Sequence, residues 1–151
     1  MDFTQDPEVI TSYLAMVKRD WNKAKESFVE LSKHWESLGS DFFPGVSVNR
    51  SADGTTVTGE VLGKHFSINI GPLAFDKACF AQVLVEVKFS GNAQFEAARF
   101  LLNRRGQVVD DEGAVQIDTE SGEGSVRVFA SILRTVIQQP APLLQVQVQP
   151  L

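Results

Sequence analysis

The sequence predicts an α+β fold: an antiparallel sheet of about five to six strands, packed on one face by a long N-terminal helix and a C-terminal helix. Three observations predict it. Apolar residues recur every three or four positions from Ile10 to Leu38. Short runs that alternate apolar and polar residues fill 46–118, separated by glycine-bearing turns. A second helical stripe, Phe129, Ile132, Leu133, Val136 and Ile137, stops before Pro140.

The first element is expected at residues 6–39. Ile10, Leu14, Val17, Trp21, Ala24, Phe28, Leu31, Trp35 and Leu38 share one side of an α-helix. Asp6 is placed to cap it, with Pro7 at the first helical position and Glu8 in the first turn. Gly39 supplies a C-cap, and Pro44 follows. At 1.5 Å per residue such a helix runs about 48 Å. The rings of Trp21, Phe28 and Trp35 are too bulky for the paired knobs of a coiled coil, so the stripe is read as lying across a sheet. An overhang is expected at the N-terminal end, where Tyr13 and Met16 widen the apolar face. Self-association through that overhang is the competing use. Phe42 and Phe43 are expected as buried plugs under the end of the helix.

Strands are expected next. Val46–Arg50 and Thr55–Leu62 flank Asp53-Gly54, a hairpin signal, and Gly63-Lys64 turns into His65–Ile70. Gly71-Pro72 ends that strand. Cys79–Phe89 is the longest, with Ala81, Val83, Val85, Val87 and Phe89 inward and Leu84 breaking the polar face. A turn falls at Ser90–Asn92. Gln94–Asn103 is ambiguous, because Phe95-Glu-Ala-Ala-Arg suits a helix and Phe100-Leu-Leu a strand. Arg104-Arg105-Gly106 turns into Gln107–Val109, and Ala114–Asp118 is a further short strand. The second helix is placed at 125–139, capped by Ser121 or Ser125. Residues 140–151, with Leu144, Val146 and Val148 alternating with glutamine, read as an edge strand or a disordered tail. Nothing divides residues 1–151 into more than one domain. The far face of the sheet should be wet, lined by Thr56, Thr58, Glu60, Ser67, Gln82, Glu86 and Lys88.

The formal net charge is −5, and it is localised. Asp110, Asp111, Glu112, Asp118, Glu120 and Glu123 stand in a stretch without a base, while acids and bases elsewhere nearly cancel. The chain has no basic stripe, which argues against nucleic acid as partner. It has no apolar run long enough for a membrane and no leader-like N-terminus, so a cytoplasmic protein is expected.

Chemistry finds little to work with. His34, His65 and the single Cys79 offer no metal-ligand spacing, and no cofactor is implied. Cys79 begins an apolar strand, as an inert buried thiol would. No serine sits in a nucleophile elbow. Ser121-Gly-Glu-Gly-Ser lacks the lysine of a phosphate loop, and Glu120 and Glu123 would repel phosphate. Asp110-Asp111-Glu112 departs from calcium-loop spacing.

Two functions remain. The first is a non-enzymatic protein-binding module of the immunity-protein, inhibitor, adaptor or chaperone kind. Its six clustered acids would dock a basic partner unless Arg99, Arg104 and Arg105 neutralise them. Homo-oligomers through the N-terminal helix or the C-terminal tail belong to this reading. The alternative is a small-molecule-binding or enzymatic domain, with an apolar pocket between sheet and helix lined by Trp21, Phe28, Trp35, Phe66 and Phe80. His34 and Arg99 would be its polar groups.

Overall fold

Asp6 starts the first helix, α1 (Pro7–Phe42), by accepting a hydrogen bond from the Glu8 N–H at 2.9 Å, with Pro7 at the position that needs no donor. The structure is a computed structural model that describes residues 1–90 and 93–142. At Gly39 the backbone leaves helical geometry (φ 20°, ψ −138°). Gly39 therefore kinks α1 where a stop was expected. One more turn follows to Phe42, and the Phe43 N–H returns to the Gly39 carbonyl at 3.0 Å. Neither of the two expected plugs is fully buried there, and only Phe43 packs against the core, half-buried. Phe43 meets the Phe129 ring edge-on at 5.6 Å, while Phe42 is 60% exposed.

Among the described residues seven strands follow, one or two more than expected: β1 (Val46–Arg50), β2 (Thr56–Val61), β3 (Lys64–Ala74), β4 (Cys79–Lys88), β5 (Gln94–Leu102), β6 (Val108–Val109) and β7 (Val115–Ile117). Each pairs antiparallel with its chain neighbour, so order in the sheet is order in the sequence. The β1–β2 turn is held by Asp53, whose carboxyl pKa falls to about 2 because the Ser51 hydroxyl and the Thr55 N–H and hydroxyl donate to it. The ambiguous run at 94–102 is strand throughout. Val85 faces Ala98 and Glu86 faces Glu96, leaving Ala97 as a bulge. Pairing along β4 outweighs the helix preference of Glu-Ala-Ala-Arg.

The second helix, α2 (Gly122–Gln138), begins three residues earlier than expected. Ser121 is the cap, accepting from the Gly124 N–H at 3.1 Å. A side chain at Gly124 would collide with the Asp118 carbonyl, so the tight entry into α2 requires glycine. Both helices cover one face of the sheet. Phe28 and Trp35 of α1 are fully buried, and Trp35 stacks on Phe129 of α2 at 5.6 Å with Phe28 edge-on at 5.9 Å. Val57, Ile68, Val83, Val85 and Val87 form the floor below these rings.

The opposite face is polar over β1–β3, where Thr58 and His65 are exposed and Glu60 and Ser67 half-buried. Towards β4–β6 this wet face gives way to a second apolar cluster. Phe80, Leu101 and Val109 are buried there, with Leu73 and Ala78 packed beside them. Phe80 follows Cys79 on β4 and so points away from the α1 side, which corrects its expected place in a pocket under the helix. Residues 143–151 of the tail expected at 140–151, and part of the turn at Ser90–Asn92, lie outside the described residues. Among the described residues no helix is long and apolar enough to cross a membrane.

Candidate functional site

The six clustered acids fall at the two ends of β7, the last strand of the sheet. Asp110 closes the β6–β7 turn: its Oδ1 accepts from the Glu112 N–H at 3.0 Å and the Ala114 N–H at 2.8 Å. This fixes the turn and leaves Asp111 and Glu112 exposed at its tip. At the other end, Asp118 accepts from the Glu120 N–H at 3.0 Å. Glu120 is bound by both nitrogens of the Arg105 fork at 2.8 Å, and the carboxylate holds that guanidinium above its ordinary pKa. Glu123, in the first turn of α2, lies 3.6 Å from Arg127. Asp110, Asp111, Glu112 and Asp118 have no ion pair among the described residues.

Of Arg99, Arg104 and Arg105, the arginines expected to neutralise these acids, only Arg105 pairs with one of them. Arg99 donates to Glu96 on its own strand, and Arg104 faces α1 across a different cleft. The acidic ends therefore keep an excess of negative charge. Between them, β7 pairs with β6 alone among the described residues. Val115 is 50% exposed and Gln116 is exposed beside it. A cleft of about 280 Å³ runs from Gln116 and Ile117 to Ser121, Glu123 and Arg127 on α2. An open strand edge with carboxylates at both ends can accept a strand of opposite charge.

The expected pocket behind α1 is filled with side chains. Phe28, Trp35 and Phe66 are buried in one cluster, with Trp21 half-buried at its margin. A cleft of about 420 Å³ opens instead where α1 meets α2, lined by Glu30, His34, Arg105, Thr119, Glu120 and Ser125. Sequence reasoning missed it, because its walls come from segments distant in the chain. Here His34 Nδ1 lies 2.7 Å from Ser125 Oγ, and the Ser125 carbonyl accepts from Trp35 Nε1 at 3.2 Å. Ser125 is only 3% exposed, and the pair ties α1 to α2 at the wall of this cleft.

His65 stands on the polar face with Nδ1 3.2 Å from Glu60. Burial, reinforced by the Asp20 carboxylate, pushes the Cys79 thiol pKa up, which disfavours the reactive thiolate. Among the described residues no three His, Cys, Asp or Glu side chains converge as a metal site would require. Comparison with protein-family models, curated protein sequences and solved structures yielded no match.

Proposed function

We propose that this chain is a non-enzymatic protein-binding module that takes an extended, basic segment of another protein along the free edge of β7. One observation carries the reading: an end strand with half-exposed Val115 lies between carboxylates that lack ion pairs. Main-chain pairing supplies affinity in such a contact, and the charges at either end set direction and speed encounter. The rings packed behind α1 weigh against a ligand cavity there.

The test uses an alternating Lys–Val peptide as probe and isotope-labelled protein. Amide resonances of Val115, Gln116 and Ile117 should move on titration at low salt, and the shifts should fade as salt screens the carboxylates. Asp111→Lys with Glu112→Lys should weaken the interaction roughly tenfold. An undisturbed β7, or equal binding of a Glu–Val peptide, would remove the basis for this function.

A further inference from the structure

Acids outnumber bases by 19 to 14, so by number alone every base could have a carboxylate partner. Arg19, Lys77 and Arg104 have no ion pair among the described residues, and all three line one cleft of about 750 Å³ beside α1. Lys23 lines it too, with Glu26 3.8 Å away on the next turn of the helix. Asp20, the other acid of the wall, accepts from the Cys79 N–H at 3.2 Å. Bases therefore outweigh acids in this cleft, on a chain whose formal net charge is −5. Lys18 and Arg134 also lack an ion pair among the described residues, but they stand outside the cleft.

The bases come from three segments, and hydrogen bonds fix each segment to the next. Arg19 and Lys23 stand one turn apart on α1. Lys77 belongs to the β3–β4 loop, which Tyr13 ties to α1 by donating its hydroxyl to the Phe75 carbonyl at 2.9 Å. Asp20 holds Cys79 just beyond it. Arg104 belongs to the β5–β6 turn, and its carbonyl accepts from Ser27 Oγ at 3.0 Å. Within that turn Asn103 Oδ1 accepts from the Arg105 and Gln107 N–H groups at 2.9 and 3.0 Å. A side chain at Gly106 (φ 76°) would strike Ser27, so the turn is seated directly on α1. The walls are thus set in place with like charges facing a shared space, where an anion would relieve their repulsion.

We propose that this cleft binds a small organic diphosphate, a ligand that gathers negative charge on two adjacent centres. Arg19 and Arg104 supply planar forks that match paired phosphate oxygens, and Lys23 and Lys77 supply point charges. The volume falls in the range of roughly 300–1,000 Å³ that small organic ligands occupy. Met16 and Ala78, both half-buried, give the organic part an apolar wall. Nucleic acid would need basic charge that continues beyond the cleft, whereas acids predominate over the rest of the chain. The site shares no residue with β7 or with the acids at its ends, so it stands independently of the peptide-binding edge.

Isothermal titration calorimetry of the full chain with inorganic pyrophosphate at low salt tests this. The expected result is one site per chain, weakened by salt. Amide resonances of Lys77, Ala78 and Arg104 should move while those of Val115, Gln116 and Ile117 stay still, which separates this site from the β7 edge. Arg19→Ala and Arg104→Ala should each lower affinity roughly tenfold with the far-ultraviolet dichroism unchanged, and Arg104→Lys should recover only part of the loss. Lys18→Ala and Arg134→Ala should change affinity by less than about twofold. Absence of binding at millimolar pyrophosphate overturns the proposal. So does an equal loss from Lys18→Ala or Arg134→Ala, which would make the effect one of general charge. Tighter binding of citrate, a glutamate-rich peptide or single-stranded DNA than of pyrophosphate would overturn it too, by giving the cleft a different occupant.

Discussion

The two halves of α1 carry the same apolar period and meet opposite fates. From Ala24 to Trp35 the stripe is sealed: Ala24, Phe28 and Trp35 are fully buried and Leu31 is 7% exposed. From Val9 to Leu14 the repeat continues, but among the described residues no strand or helix covers Val9 and Leu14. The sealed half is also held by polar contacts on its flanks, from Ser27 Oγ to the Arg104 carbonyl at 3.0 Å and from His34 to Ser125. Periodicity thus reports which side of a helix is apolar and is silent on what covers it. Cover is decided by where the sheet stops.

This contrast is open to direct attack. Trp35→Ala removes a ring that touches both Phe28 and Phe129 and leaves the Ser125 carbonyl without its indole donor. A loss of about 3–5 kcal/mol in denaturant-derived stability is expected. A loss below about 1 kcal/mol would mean that the sealed half is not sealed. Ser125→Ala deletes the hydroxyl that meets His34 and should cost about 1 kcal/mol, with His34 still able to reach water because it is only half-buried. Calorimetry at several concentrations would read that loss free of any self-association. Leu14→Ala is the smallest change. Measured on dilute monomer, its effect should stay within about 0.5 kcal/mol, because little apolar contact is lost at an exposed site. A larger effect would show that the overhang is packed within its own chain.

Much of the architecture could be read from local signals. Asp6-Pro7 marks the start of the first helix, Asp53-Gly54 and Gly63-Lys64 mark hairpins, and Ser121 stands at the start of the last helix, each through chemistry that acts within a few residues. The parts left open or misread depend on distant partners. Residues 94–99 favour a helix in isolation and become strand because β4 lies beside them. The second cluster had a signal that alternation alone hides. Cys79-Phe80-Ala81, Leu101-Leu102 and Val108-Val109 are unbroken apolar runs, as expected where both faces of a strand are covered. The acids of the candidate site were visible as composition. Their grouping at the ends of an open strand was not, since it depends on which strand comes last in the sheet.

Because each strand is hydrogen-bonded to the one before it, the sheet can be assembled as a run of short loop closures, each costing little chain entropy. The join between His34 and Ser125 is of another order, spanning 91 positions. It cannot form until the ribosome has delivered α2. A nascent chain halted before Gly122 would hold its hairpins in register with part of their oily side bare, which makes α2 the segment that turns a zipped ribbon into a protein safe among its neighbours.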